Sequence, residues 1–146
     1  MQIPAVRDVQ LYTAAGVAVG IRESLVNGTT YYGELIAADT PWTSVLWKWD
    51  SSIIATITVE STNLDAADPN PALAAPDFWG GLRTWDAAAL GWWPEPDAAL
   101  TVTIAGGSAS ARLVHMGGGG ARRMRAKIVV GAANGRLRGR AHGKMG

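Results

Sequence analysis

Strict alternation between Val45 and Asn63 constrains this chain more than any other feature. In VLWKWDSSIIATITVESTN, Val45, Trp47 and Trp49 share one parity, with Leu46 and Lys48 between them. After Asp50-Ser51-Ser52, Ile53, Ala55, Ile57 and Val59 point one way, and Ile54, Thr56, Thr58 and Glu60 the other. A period of two in residues rich in Ile, Val, Thr and Trp builds strands with one face in a core. The Asp-Ser-Ser break reads as a tight turn. The stretch therefore predicts a central antiparallel strand pair, with Trp47 and Trp49 assigned to the core. Nothing in it suggests catalysis.

The flanking sequence repeats the pattern. Residues 7–13 (RDVQLYT) and 17–22 (VAVGIR) read as short strands about Ala14-Ala15-Gly16, with Val17, Val19 and Ile21 inward. Asn27-Gly28 signals a turn, and Tyr31–Ala37 (YYGELIA) a third strand. Alternation returns at Leu100, Val102 and Ile104. Gly106-Gly107 then turns the chain into Ser108–His115, where Ala109, Ala111 and Leu113 share a face. Gly117–Gly120 reads as a flexible link. Eight to ten short strands, by a rough count, with turn signals between them and no long helix predict an all-β fold. The expected architecture is a single antiparallel β-sandwich over residues 1–146, with jelly-roll topology preferred.

Between these strands lies an irregular excursion, residues 64–98. It holds five of the seven prolines and four of the seven tryptophans: Trp79, Trp85, Trp92 and Trp93. A connection this long in a compact domain implies a task or structure of its own. The four tryptophans suit a protein-docking patch or a platform for sugar rings. The plainer reading is a satellite cluster capping one end of the sandwich.

Charge is lopsided. Residues 1–111 carry all 12 acids against four basic residues, and residues 112–146 carry nine basic residues and no acid. Such asymmetry points to an anionic partner for the C-terminal part, another copy of the chain included. Asn134-Gly135 is a two-residue hairpin signal, so residues 122–145 predict a basic hairpin. Pairing about that turn sets Ala132 opposite Leu137, Ile128 opposite Ala141 and Met124 opposite Met145. Met124, Ala126, Ile128 and Val130 then face the core. The outer face gathers Arg123, Arg125, Lys127, Arg136, Arg138, Arg140 and Lys144 as a partner-binding surface. Its readings are a solvated face, phosphate contacts with nucleic acid, or docking on an acidic protein surface. The strands lack interleaved exposed aromatics, which weighs against single-stranded nucleic acid.

Three pieces carry a resemblance: RDVQLYTAAGVAVG near the start, WTSVLWKWDSSIIATITVESTN in the middle and GARRMRAKIVVGAANGRLRGRAHGK at the end. Together they resemble the small jelly-roll structural proteins of tailed bacteriophages, of the capsid decoration or cement type. The central piece also looks like the discoidin or galactose-binding sandwich pattern, from which no ligand-site residue carries over. The phage resemblance covers about two thirds of the chain and omits the Trp/Pro excursion. It implies a virion protein without enzymatic activity, made in the host cytoplasm and assembled on the capsid surface. Its implied partners are the major capsid protein and copies of itself, in an oligomer such as a trimer. The alternatives are a tail or neck component, a carbohydrate-binding sandwich using the Trp-rich loop, and a nucleic-acid-binding module using the basic face.

Other chemistry finds little support. The chain has no cysteine, which excludes disulfides, Cys-ligated zinc and a thiol nucleophile. His115 and His142 are the only histidines, a weak set for a metal. Asp65, Asp68 and Asp77 could offer oxygen ligands to calcium, but their spacing matches no EF-hand loop. Neither a Gly-x-Ser-x-Gly elbow nor a Walker loop occurs. No metal, cofactor or catalytic residue is expected. No apolar run reaches 18 residues, so no membrane span is expected, and MQIPAVRDVQ lacks the pattern of a secretory signal.

Overall fold

A computed structural model of the chain describes residues 3–36, 42–62, 93–95, 97–116 and 123–145. The expected class holds: two antiparallel sheets pack as a sandwich, and the described residues contain no α-helix. The strands are β1 Ile3–Asp8, β2 Leu11–Thr13, β3 Ala18–Val19, β4 Thr30–Ile36, β5 Trp42–Trp49 and β6 Ala55–Thr62. They continue as β7 Trp93–Pro94, β8 Val102–Ile104, β9 Ser110–His115, β10 Arg123–Val130 and β11 Leu137–Met145. Asp97 caps a single 3-10 turn, Ala98–Leu100, by accepting a hydrogen bond from the Ala99 N–H at 2.9 Å.

Sheet I runs β1-β11-β5-β9. Sheet II runs β3-β2-β4-β10-β6, with β7 and β8 beside successive parts of β6. The alternation read from the sequence places side chains as physics requires. From sheet I, Val45, Trp47, Val114, Leu137 and Ala141 are buried. From sheet II, Leu11, Tyr31, Leu35, Ile57, Val59, Val102, Ala126 and Ile128 are buried, and all join one core. Trp49 packs against that core while remaining partly exposed.

The predicted strand pairings need correction in two places. β5 and β6 do not pair with each other: β5 lies in sheet I and β6 in sheet II. Asp50 Oδ1 accepts from the Ser52 and Ile53 N–H groups, so the break is a side-chain-capped turn, as its composition suggests. That turn carries the chain across the sandwich rather than back along the same sheet. β10 and β11 form no hairpin either. β10 sits between β4 and β6, and β11 between β1 and β5. Asn134-Gly135 belongs to the crossing. Gly135 bridges Leu25, the Asn134 side chain accepts from the Asn27 N–H at 2.6 Å, and Asp50 Oδ2 accepts from the Arg136 N–H. These contacts replace the cross-strand bonds a hairpin would make. Gly135 also lacks the positive φ that a type I′ turn requires.

One smaller correction concerns an inward set. Of Val17, Val19 and Ile21, only Val19 is buried, because β3 is a two-residue strand at the rim of sheet II. Ala109, Ala111 and Leu113 share one face, as their parity suggests, and it is the solvent face; Val114 is the buried residue of β9.

One close approach fixes a glycine. A Cβ on Gly139 would lie 2.6 Å from Trp47 Cζ3 and 2.8 Å from Cε3, because the indole lies against the β11 backbone. Gly139→Ala is therefore expected to lower stability by about 1–3 kcal/mol. Urea denaturation checks this, and an unchanged midpoint would contradict it.

Candidate interaction surfaces

The crossing of β10 and β11 into different sheets divides the predicted basic face. Arg125 and Lys127 stand on the outer parity of sheet II, while Arg138 and Arg140 stand on the outer face of sheet I. Arg123 begins β10, Lys144 lies near the end of β11, and Arg136 precedes β11. Seven cations on one side is thus incorrect: the alternation is right, but the two strands look away from each other.

On sheet II, Arg125 is committed to an internal ion pair. Arg125 is 2% exposed and directly opposite Glu60, itself 6% exposed. Arg125 Nη2 lies 2.8 Å from Glu60 Oε1, and Arg125 Nε donates to the same oxygen at 2.9 Å. The guanidinium also stacks 4.3 Å from the Tyr32 ring centroid. Burial lowers the Arg125 pKa, and the Glu60 carboxylate opposes that shift, so the arginine stays charged. Lys127 is half-buried.

On sheet I, Arg138 and Arg140 are much more exposed than Arg125. Its cross-strand rows are set by register. One row reads Asp8, Arg140, Leu46, Leu113, and its neighbour Arg138, Lys48, Ala111. Arg138 Nη2 lies 3.2 Å and Arg140 Nε 3.4 Å from Asp8 Oδ1. The Arg138 hydrogen bond, against some desolvation, holds the Asp8 carboxyl below its ordinary value. Lys48 lies directly opposite Arg138, an unfavourable pairing of like charges. Among them Val6 (56%), Leu113 (51%) and Leu46 (41%) are exposed, so cations and apolar side chains interleave. His115 and His142 both flank Ser44, two strand spacings apart, roughly 10 Å.

Beside this face lies a recess of about 370 Å³. Arg22 and Ile21 from the turn after β3 form one wall, and Lys48, Trp49, Arg136 and Arg138 form the others. Asp50 closes it. Burial alone would raise the Asp50 carboxyl, but the N–H groups of Arg136, Ser52 and Ile53 outweigh burial and hold it below 3.8, its ordinary value. A carboxyl depressed by folding stabilises above its unfolded pKa and loses that contribution as pH falls through the folded one. Asp50→Ala is expected to cost about 1–2 kcal/mol near neutrality. The deficit relative to wild type should shrink in thermal melts below about pH 4. A deficit independent of pH would contradict this.

Sequence reasoning missed Arg7, Asp8, Arg22 and Lys48. Arg7 ties the sheets together, its Nη2 donating to the Glu34 carbonyl at 3.0 Å. Lys48 was visible as the polar residue between two core tryptophans, but only the adjacency of β5 and β11 places it beside Arg138. Trp93 begins β7 and pairs with Ser61, whereas Trp79, Trp85 and Trp92 lie outside the described residues, as do Asp65, Asp68 and Asp77. Among the described residues no three His, Asp or Glu side chains group as metal ligands, and no helix is long and apolar enough to cross a membrane. Comparison with protein-family models, with curated proteins and with solved structures finds no match.

Proposed function

We propose that this chain is a non-enzymatic structural protein of a phage particle, a decoration protein that binds and stabilises the capsid shell from its outer surface. The observation that carries the reading is the outer face of sheet I. There Arg138, Arg140 and Lys48 stand among exposed Val6, Leu46 and Leu113, with Asp8 the one acid in those rows. Cations set among exposed apolar side chains suit an acidic protein surface, where charge guides encounter and register and apolar burial holds the complex. A solvated face would gain nothing from the apolar set.

Topology supports the jelly-roll part of the reading. The first strand lies beside the last, and the chain changes sheet at β1–β2, β4–β5, β5–β6, β8–β9, β9–β10 and β10–β11. Sheet I and the strands β4, β10, β6 and β8 of sheet II then form two facing four-stranded layers, as a jelly roll does. The partners in this reading are the major capsid protein and further copies of the chain, arranged as an oligomer such as a trimer. The Trp-rich segment 64–98 would add apolar anchoring.

Sedimentation with capsid shells that lack the protein tests the proposal. Saturable co-sedimentation, together with raised heat resistance of the shells, is the expected result. A folded protein that ignores shells at every salt concentration overturns it. Binding to a glycan array in that case would transfer the role to carbohydrate recognition.

A further inference from the structure

The recess beside sheet I has the composition of a site rather than of a surface irregularity. Four cations line it: Arg22, Lys48, Arg136 and Arg138. Among the described residues only Arg138 of the four is paired, and its partner Asp8 is not among the lining residues. The side chains of Arg22, Lys48 and Arg136 make no hydrogen bond or ion pair among the described residues. The one lining acid, Asp50, has both carboxylate oxygens engaged by backbone N–H groups. It offsets the charge without holding any of the cations. Like charges converging in this way raise the energy of the empty site, and an incoming anion relieves it.

The remaining wall is apolar: Trp49, Ile21 and Leu137. A free inorganic anion would use only half of such a site. The volume, about 370 Å³, falls at the small end of ligand pockets. It suits one or two side chains. Tryptophan and arginine around a central recess, with exposed apolar residues nearby, match the anatomy of a protein-binding hot spot. Asp8 and Asp50 beside the cations disfavour a continuous polyanion such as nucleic acid.

We infer that the recess receives an acidic peptide segment of a partner protein: an Asp or Glu carboxylate among Arg22, Lys48 and Arg136, with a neighbouring apolar side chain against Trp49. This deepens the docking proposal and rests on its premise that sheet I faces a protein.

The probe is N-acetyl-aspartyl-phenylalanine amide, titrated into ¹⁵N-labelled full-length protein and followed by NMR. Expected are saturable shifts of the Trp49 indole N–H and of the Lys48, Asp50 and Arg136 amides. Binding should weaken roughly tenfold between about 0.05 M and about 0.5 M salt. N-acetyl-asparaginyl-phenylalanine amide should shift the same signals far less. The exposed double variant Lys48→Gln/Arg136→Gln should lose the shifts while keeping the wild-type melting midpoint. Absence of shifts, or tighter saturation by glucuronate or inorganic phosphate than by the peptide, overturns the inference. Capsid sedimentation separates the two proposals. Shells that bind wild type and the double variant equally refute the recess and leave docking intact. Shells that bind neither refute docking itself.

Discussion

Arg125→Ala is expected to destabilise the protein by about 3–5 kcal/mol, and Glu60→Ala by a similar amount. The magnitude follows from burial. Each side chain is almost wholly removed from water, and each is the direct cross-strand neighbour of the other on β10 and β6. Removing one leaves the other charge buried without its counter-ion, in a medium where that is far costlier than in water. The Tyr32 ring adds to the loss in the arginine variant. Replacing both residues by leucine should cost much less than either single change, because no orphaned charge remains. Urea denaturation of the two single variants and the double completes the cycle. Single variants that cost less than about 1 kcal/mol would show that the pair is solvated, contrary to its geometry. The result bears on function as well. Arg125 is held inside the protein, so loss of partner binding in an Arg125 variant would report unfolding, not docking.

Trp47→Ala should be comparably damaging, at about 3–5 kcal/mol. Trp47 is fully buried, and its ring fills the space above Gly139 on the adjacent strand. Trp47→Phe should cost far less than the alanine change. Among the described residues the buried indole Nε1–H has no hydrogen-bond partner, so phenylalanine removes an unsatisfied donor together with the lost volume. Thermal melts of the two variants check the contrast. Equal losses would contradict this account.

What the sequence made legible was facing, and what it hid was pairing. Ile53, Ala55, Ile57 and Val59 are buried as their parity predicts, and so are Met124, Ala126, Ile128 and Val130. Alternation reports which side of a strand meets a core. It is the same whether the next strand lies alongside or across the sandwich. Asn134-Gly135 therefore resembled a hairpin turn, although Gly135 bridges Leu25, 110 residues earlier. The basic surface failed for this reason. Arg125 and Arg138 are both outward on their own strands, but their sheets face opposite ways. Glu60 shows a second limit. It reads as an exposed polar position on a half-buried strand, and only the β10–β6 register reveals its counter-ion. Arg22 and Asp50 joined the recess through turns, where no periodicity exists to be read.

Docking through sheet I is tested most directly by comparing variants on opposite faces of the sandwich. Arg138→Ser/Arg140→Ser alters sheet I, and Lys127→Ser alters sheet II, where Lys127 is a partly exposed cation. Each is mixed with capsid shells lacking the protein and sedimented, after its melting midpoint has been measured. The account predicts that the sheet I variant loses saturable binding while the sheet II variant binds as wild type does. Full binding by Arg138→Ser/Arg140→Ser, with loss confined to Lys127→Ser, would contradict it.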